Sequence, residues 1–203
     1  MKVGIFIEPN FDLKLQVLRD KSTIFDLYGN QTYLKHLPHC SIYVFNITQK
    51  QLNKLKYNKL LNLNFNTKNI TIKVNKTNVF KNDLLTNGDT YCYEINKNKY
   101  LDDLQKKIIK FFLPYVDKKP KKTLYNESWM NHNYDKFGFP FVGKKWIPHI
   151  TLASISTKNK KYKFLNKFLK LNLTYNQKID KVSVYKIQKE KHKFLWHIFL
   201  NNN

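Results

Sequence analysis

Glycine is scarce in this chain, five in 203 residues, and cysteine is scarcer still, with two. So little glycine excludes a low-complexity or collagen-like polypeptide. Cys40 and Cys92 on their own exclude a disulfide framework and the usual cysteine-rich metal sites. Acidic residues are also few, 14 against 37 Lys plus Arg, which leaves a net charge of +23 and argues against a carboxylate-built metal centre. No apolar run reaches membrane-spanning length, because Lys110 and Pro114 interrupt the longest candidate. The opening segment 3–8 is a short strand halted at Pro9, too brief for a secretion signal; the expectation is a cytoplasmic protein without a membrane partner.

Apolar residues make up 42% of the chain, enough for a real core, and the length suits one domain over 1–203. The positive charge points to a polyanionic partner, with nucleic acid the obvious candidate. An AT-rich coding sequence would supply the same Lys- and Asn-rich composition, so charge alone does not assign the partner.

One short pattern occurs twice. Pro38-His39-Cys40-Ser41 runs into Ile42-Tyr43-Val44-Phe45, and Pro148-His149-Ile150-Thr151 runs into Leu152-Ala153. Both read as strands, near 39–45 and 149–155. Strand side chains alternate faces, so His39 projects with Ser41 and His149 with Thr151. One H-x-[ST] triplet in a chain with six histidines carries almost no information. Two of them, each after a proline and ahead of an aliphatic run, do. Facing each other, they would set two imidazoles and two hydroxyls around one small anion, as phosphodiester chemistry without a metal requires. Cys40 alternates with His39 and Ser41 and is expected to be a buried, reduced hydrophobe.

The flanking segments repeat as well. Residues 11–28 predict a helix that stops before Gly29, and the His39 strand follows. Thr48-Gln49-Lys50-Gln51 reads as a capping box opening a helix with Leu52, Leu55, Leu60 and Leu61 on its apolar side. Strands are expected at 70–74 and 90–95, the second just past the Asn87-Gly88-Asp89 turn. In the second half, Leu101, Leu104, Ile108, Phe111 and Phe112 form a helical stripe ahead of the His149 strand. A helix near 160–170 and strands at 182–187 and 194–200 complete the pattern. The expected fold class is α+β and bilobal: two pseudo-symmetric lobes of antiparallel sheet plus helices, with the motif strands lining a central cleft.

These features resemble the 2H phosphoesterase superfamily, which takes its name from two H-x-[ST] motifs, and within it the 2′-5′ RNA ligase-like (LigT-like) group. The resemblance covers the opening strand, the motif at 39–42 and the segment 90–95 with its following helix. It also covers the approach Phe137-Gly138-Phe139-Pro140-Phe141-Val142-Gly143 to Trp146-Ile147-Pro148-His149-Ile150-Thr151-Leu152, and the closing strands. Ser41 stands where threonine is commoner. The resemblance implies a bilobal fold, no metal or other cofactor, and cleavage of phosphodiesters that involve a ribose 2′-oxygen. It places the catalytic imidazoles on His39 and His149 and the phosphate-binding hydroxyls on Ser41 and Thr151.

Hydrolysis of a 2′,3′-cyclic phosphate or a 2′-5′ linkage needs a base for water and an acid for the departing ribose oxygen. Imidazole, with a pKa of about 6.5, serves either role near neutral pH. The residues leave open which histidine is which. Tyr43, Phe139 and Trp146 are candidates for contact with substrate: Tyr43 follows Ser41 by two, and the other two lie in the aromatic connector 114–148, whose rings suit stacking on a nucleobase. His36 and His132 are expected in loops, and His192 and His197 as structural residues of the closing hairpin. The expected partner is RNA, an oligonucleotide or a cyclic nucleotide. Two alternatives stand beside this reading: a hydrolase of a small nucleotide signal, such as a 2′-5′ oligoadenylate or cyclic oligonucleotide, and a non-catalytic basic RNA-binding module.

Overall fold

The computed structural model of the chain describes residues 1–58, 70–118, 125–156, 164, 167–188 and 190–200. In order, its elements are β1 (Lys2–Ile7), α1 (Phe11–Tyr28), β2 (Cys40–Asn46), α2 (Gln49–Asn58), β3 (Ile70–Phe80), β4 (Gly88–Ile95), α3 (Lys99–Phe112), α4 (Ser128–Phe137), β5 (His149–Ser156), β6 (Tyr175–Ile179), β7 (Lys181–Gln188) and β8 (Lys191–Phe199). None of the described helices is long and apolar enough to cross a membrane.

The helices begin and end where local chemistry dictates. Asn10 caps α1 by accepting from the Leu13 amide at 3.1 Å, and Gly29, at a positive φ of 68° that favours glycine, ends it with its amide on the Phe25 carbonyl at 2.7 Å. Leu13, Val17 and Ile24 face the core, whereas Leu15, Leu18, Phe25 and Leu27 stay exposed. Ahead of α2 the capping box is closed as expected: the Thr48 hydroxyl accepts from the Gln51 amide at 3.2 Å, and the Gln51 carbonyl oxygen accepts from the Thr48 amide at 2.9 Å. Leu52 and Leu55 are buried beneath it, and Leu60 and Leu61 lie outside the described residues. The stripe of α3 buries Leu101, Leu104, Ile108 and Phe112, each contributing about 1.5–3 kcal/mol by leaving water.

All strands join one antiparallel sheet in the order β6-β3-β4-β5-β2-β1-β7-β8. Its centre is thin. β2 and β5 share a single register pair, Cys40↔Ile150, and then diverge into two four-stranded halves. About that pair the molecule has a pseudo-twofold: β1-α1-β2 on one side answers β4-α3-β5 on the other. The halves are not successive stretches of chain, as the repeat in the sequence suggested. β3, which follows the first motif, pairs in the half of β5, and β7, which follows the second, pairs in the half of β2. The helices cross over in the same way, α1 packing on β5 and α3 on β2.

Both motif strands carry a bulge at the same place. Between Ile5↔Tyr43 and Phe6↔Ser41 the residue Ile42 has no opposite number on β1; between Tyr91↔Ala153 and Cys92↔Thr151, Leu152 has none on β4. The extra residue breaks the two-residue alternation, so Ile42 and Tyr43 both turn inward, as do Leu152 and Ala153, all four at 0% exposure. Gln105, buried in α3, holds the first bulge: its amide group donates to the carbonyls of Ile42 at 3.0 Å and Phe141 at 3.3 Å, and its oxygen accepts from the Gly143 amide at 2.9 Å.

Several elements differ from expectation. β3 runs on to Phe80 rather than stopping at Val74, because β6 covers only Ile70–Val74 and the remainder is a polar strand paired on one side. β6 is a short polar edge strand, Tyr-Asn-Gln-Lys-Ile, that offers little periodicity. The connector 114–148 holds the helix α4. The helix expected near 160–170 lies mostly outside the described residues, within which Phe164 and Phe168 are buried. Replacing Gln105 by Leu should lower the unfolding free energy by about 1–3 kcal/mol, since two carbonyls and an amide lose their partner; urea denaturation measures it.

Candidate active site

The sheet's thin centre is where the motifs meet. Cys40 and Ile150, directly opposite, both point into the core at 0% and 1% exposure. By strand alternation His39, Ser41, His149 and Thr151 all emerge on the other face, half-buried. As diagonal neighbours across an antiparallel pair, the two imidazoles start from positions roughly 7–8 Å apart.

The two rings are held alike. His39 Nδ1 lies 2.6 Å from the Leu37 carbonyl, and His149 Nδ1 lies 2.7 Å from the Ile147 carbonyl, each reaching back over the intervening buried proline. A carbonyl can only accept, so each Nδ1 carries the proton and each Nε2 is the nitrogen that faces outward. Proline keeps the preceding residue extended, which aims that carbonyl at the ring.

Their surroundings differ. Phe6 stacks on His39 with ring centres 3.9 Å apart, and Gly4 makes this possible, since a Cβ there would sit 2.3 Å from the Phe6 ring. His192 of β8 stands edge-on to His39 at 5.0 Å and His36 to His192 at 4.8 Å. Behind them the Lys21 ammonium donates to the carbonyls of Tyr33, Leu34 and His36. A cavity of about 40 Å³ beside His39, lined in part by Glu8, Lys14, Tyr185 and His192, has room for water. Burial, aided by His192, His36 and Lys21, pushes the His39 pKa down to about 3.

His149 sits in the opposite field. Glu94 is its register partner on β4, held by Lys76 at 2.9 Å and the Asn78 amide at 2.6 Å, and Phe80 meets the ring edge-on at 5.1 Å. Burial lowers the His149 pKa, while Asp83 and Glu94 pull it back up. Among the described residues no three His, Cys, Asp or Glu side chains are arranged to hold a metal ion. Cys40 and Cys92 are free and buried, and burial raises both thiols, Cys40 to about 12, so neither is a thiolate at neutral pH.

Two of the expected substrate contacts are corrected. The Ile42 bulge turns Tyr43 away from Ser41 and into the core, where its hydroxyl donates to the Phe137 carbonyl. Trp146, 3% exposed, donates from Nε1 to the Ser41 carbonyl at 2.9 Å. Neither offers a ring face to a base; both fix β2 in place. Phe139 is half-buried against Tyr43 and Phe141. His132 is exposed on α4, and His197 bonds Ser183 within the β7–β8 hairpin. His192, expected to be structural, is at the site, and so are Glu94, Phe6 and Phe80; only pairing between distant strands brings them there.

Solved structures share this architecture at very low sequence identity. The protein TT0787 of Thermus thermophilus superimposes over 98% of this chain and 98% of its own, with 11% identity and a TM-score of 0.65. A structure described as a phosphoesterase matches over 98% and 97%, at 11% identity and 0.60. LigT of E. coli complexed with 3′-AMP matches over 98% and 96%, at 10% identity and 0.56. No family model and no curated protein matches the sequence. This chain therefore has the α+β fold of these structures.

The depressed imidazoles have a consequence for stability. In the unfolded chain all titrate near 6.5, whereas His39 and His192 in the folded one resist protonation down to about 3 and about 4. Their contribution is complete above pH 6.5 and is lost as pH falls through that window. Asp20, whose carboxyl burial raises, works in the opposite direction. The urea midpoint of His192→Gln should fall less steeply than wild type between pH 7 and pH 4.5.

Proposed function

We propose that this chain is a metal-independent phosphodiesterase that cleaves 2′,3′-cyclic phosphates or 2′-5′ linked RNA and oligonucleotides by two-histidine acid–base catalysis. The observation that carries this reading is the convergence of His39, Ser41, His149 and Thr151 on one face of the β2–β5 junction, both Nε2 atoms facing outward. One Nε2 takes a proton from water as the oxygen attacks phosphorus; the other gives a proton to the ribose oxygen that leaves on the far side. Ser41 and Thr151 donate to the non-bridging oxygens, whose charge grows in the transition state. The surplus of cationic side chains favours a polyanionic substrate. E. coli LigT, which has this fold, has been solved with 3′-AMP, ATP and phosphate, which favours a nucleotide as the substrate type.

The test is a substrate panel in the presence of EDTA: 2′,3′-cyclic nucleotides, 2′-5′ and 3′-5′ oligoadenylates, and cyclic dinucleotides. Turnover should survive chelation. His39→Ala and His149→Ala should each lose ~10²–10⁴-fold in kcat, and Ser41→Ala or Thr151→Ala ~10²–10³-fold. RNA binding with no turnover of any member would contradict the enzyme reading. Preference for a cyclic dinucleotide or a 2′-5′ oligoadenylate would move the assignment to a small nucleotide signal.

A further inference from the structure

We infer that Lys21 is a positioning residue for the first motif: its buried ammonium ties the approach to His39 onto the helix that rests on the strand of His149, and so fixes the separation of the two imidazoles. The inference rests on the phosphodiesterase reading and deepens it, because that reading needs both rings on one phosphorus.

Lys21 is 5% exposed, on the face of α1 that also buries Leu13, Val17 and Ile24. Lysine is seldom buried without a partner, and among the described residues no carboxylate pairs with this one. Its Nζ instead donates to the carbonyls of Tyr33 at 2.7 Å, Leu34 at 3.2 Å and His36 at 2.9 Å. An ammonium has three protons, and all three are used. Hydrogen bonds from a charged donor are stronger than neutral ones, and they replace the water that burial removes. Burial lowers the Lys21 pKa only to about 8, so the cation persists at neutral pH.

What it grips is the run-in to His39. Between α1 and β2 the chain forms no helix or strand, only a bridge from Thr32 to Ser154 of β5. Just past that bridge Tyr33 turns to φ 71°, a left-handed backbone conformation that a bulky aromatic residue keeps only where its surroundings enforce it. The three carbonyls then converge on Nζ. The last of them, on His36, stands one residue before the Leu37 carbonyl that anchors His39 Nδ1.

Because α1 packs on β5, the grip spans the two motifs. The pseudo-twofold repeats the device. There α3 packs on β2, and its buried Gln105 holds Phe141 and Gly143, on the run-in to His149. Each crossover helix thus ties the approach of one motif to the strand of the other. The side chains differ because the groups they meet differ. Gln105 faces carbonyls and an amide, which a carboxamide matches, whereas Lys21 faces carbonyls alone, which call for donors alone.

Lys21→Met keeps the aliphatic stem and removes the donors. In ring ¹H–¹⁵N spectra of the substrate-free protein, the Nδ1–H resonance of His39 should move or be lost to exchange with water, while that of His149 stays in place. With 2′,3′-cyclic AMP as substrate, kcat should fall by ~10²-fold, far more than KM changes. Lys21→Arg, whose longer planar fork cannot meet the same converging carbonyls from one point, should displace the same ring with a smaller loss of kcat. An unmoved His39 resonance would overturn the proposal whatever kcat does. Equal displacement of both rings, the mark of a generally loosened core, would overturn it too, as would a displaced His39 with kcat unchanged. Should Lys21→Met fail to fold, Lys21→Arg decides on the same readings. Wild-type protein that turns over no phosphodiester would instead defeat the phosphodiesterase reading, and the ring spectra would still decide whether Lys21 places His39.

Discussion

A single antiparallel register pair, Cys40 opposite Ile150, joins the two halves of the sheet at the point where the two motifs meet. Its side chains are sealed in the core, and the residues on either side of each are forced to the opposite face. A slip by one residue would invert every motif side chain and bury both imidazoles. The bulges at Ile42 and Leu152 protect that register. They let each strand alternate through its motif and then bury two consecutive residues, Ile42-Tyr43 and Leu152-Ala153, which a strictly alternating strand cannot do.

Much of the site was legible because it is local. An H-x-[ST] triplet after proline at a strand start specifies its own face, and the two copies could be found by reading along the chain. The capping box at Thr48–Gln51 and the stripe of α3 were legible for the same reason: their partners lie within a few residues. Pairing between β2 and β5 leaves no comparable trace, since one register pair makes no demand on composition. The bulges did leave a trace in the adjacent apolar pairs Ile42-Tyr43 and Leu152-Ala153. Read with plain alternation, they sent Tyr43 to the wrong face. α4 was invisible because it buries only Met130. His192 and Glu94 became visible only with the sheet order, since each belongs to a strand whose local pattern is ordinary.

The repeat gives the two motif histidines the same local setting. Shared features fix what both histidines need: a protonated Nδ1, an outward Nε2, and a neighbouring hydroxyl. Their surroundings then differ: His36, His192 and Lys21 lie near His39, whereas Glu94 lies across the ladder from His149. Crossing of α1 under β5 and α3 under β2 ties both halves into one core, so the two rings are held by a common rigid base. Trp146 and Gln105 extend that base to the carbonyls of Ser41 and Ile42.

The most direct test is a crystal structure with a nucleoside monophosphate bound. One phosphate group should lie within hydrogen-bond distance of both Nε2 atoms, His39 and His149, with the Ser41 and Thr151 hydroxyls on its remaining oxygens. A phosphate held by one motif alone, with the second imidazole out of reach of it, would contradict the idea that both motifs act on a single phosphorus.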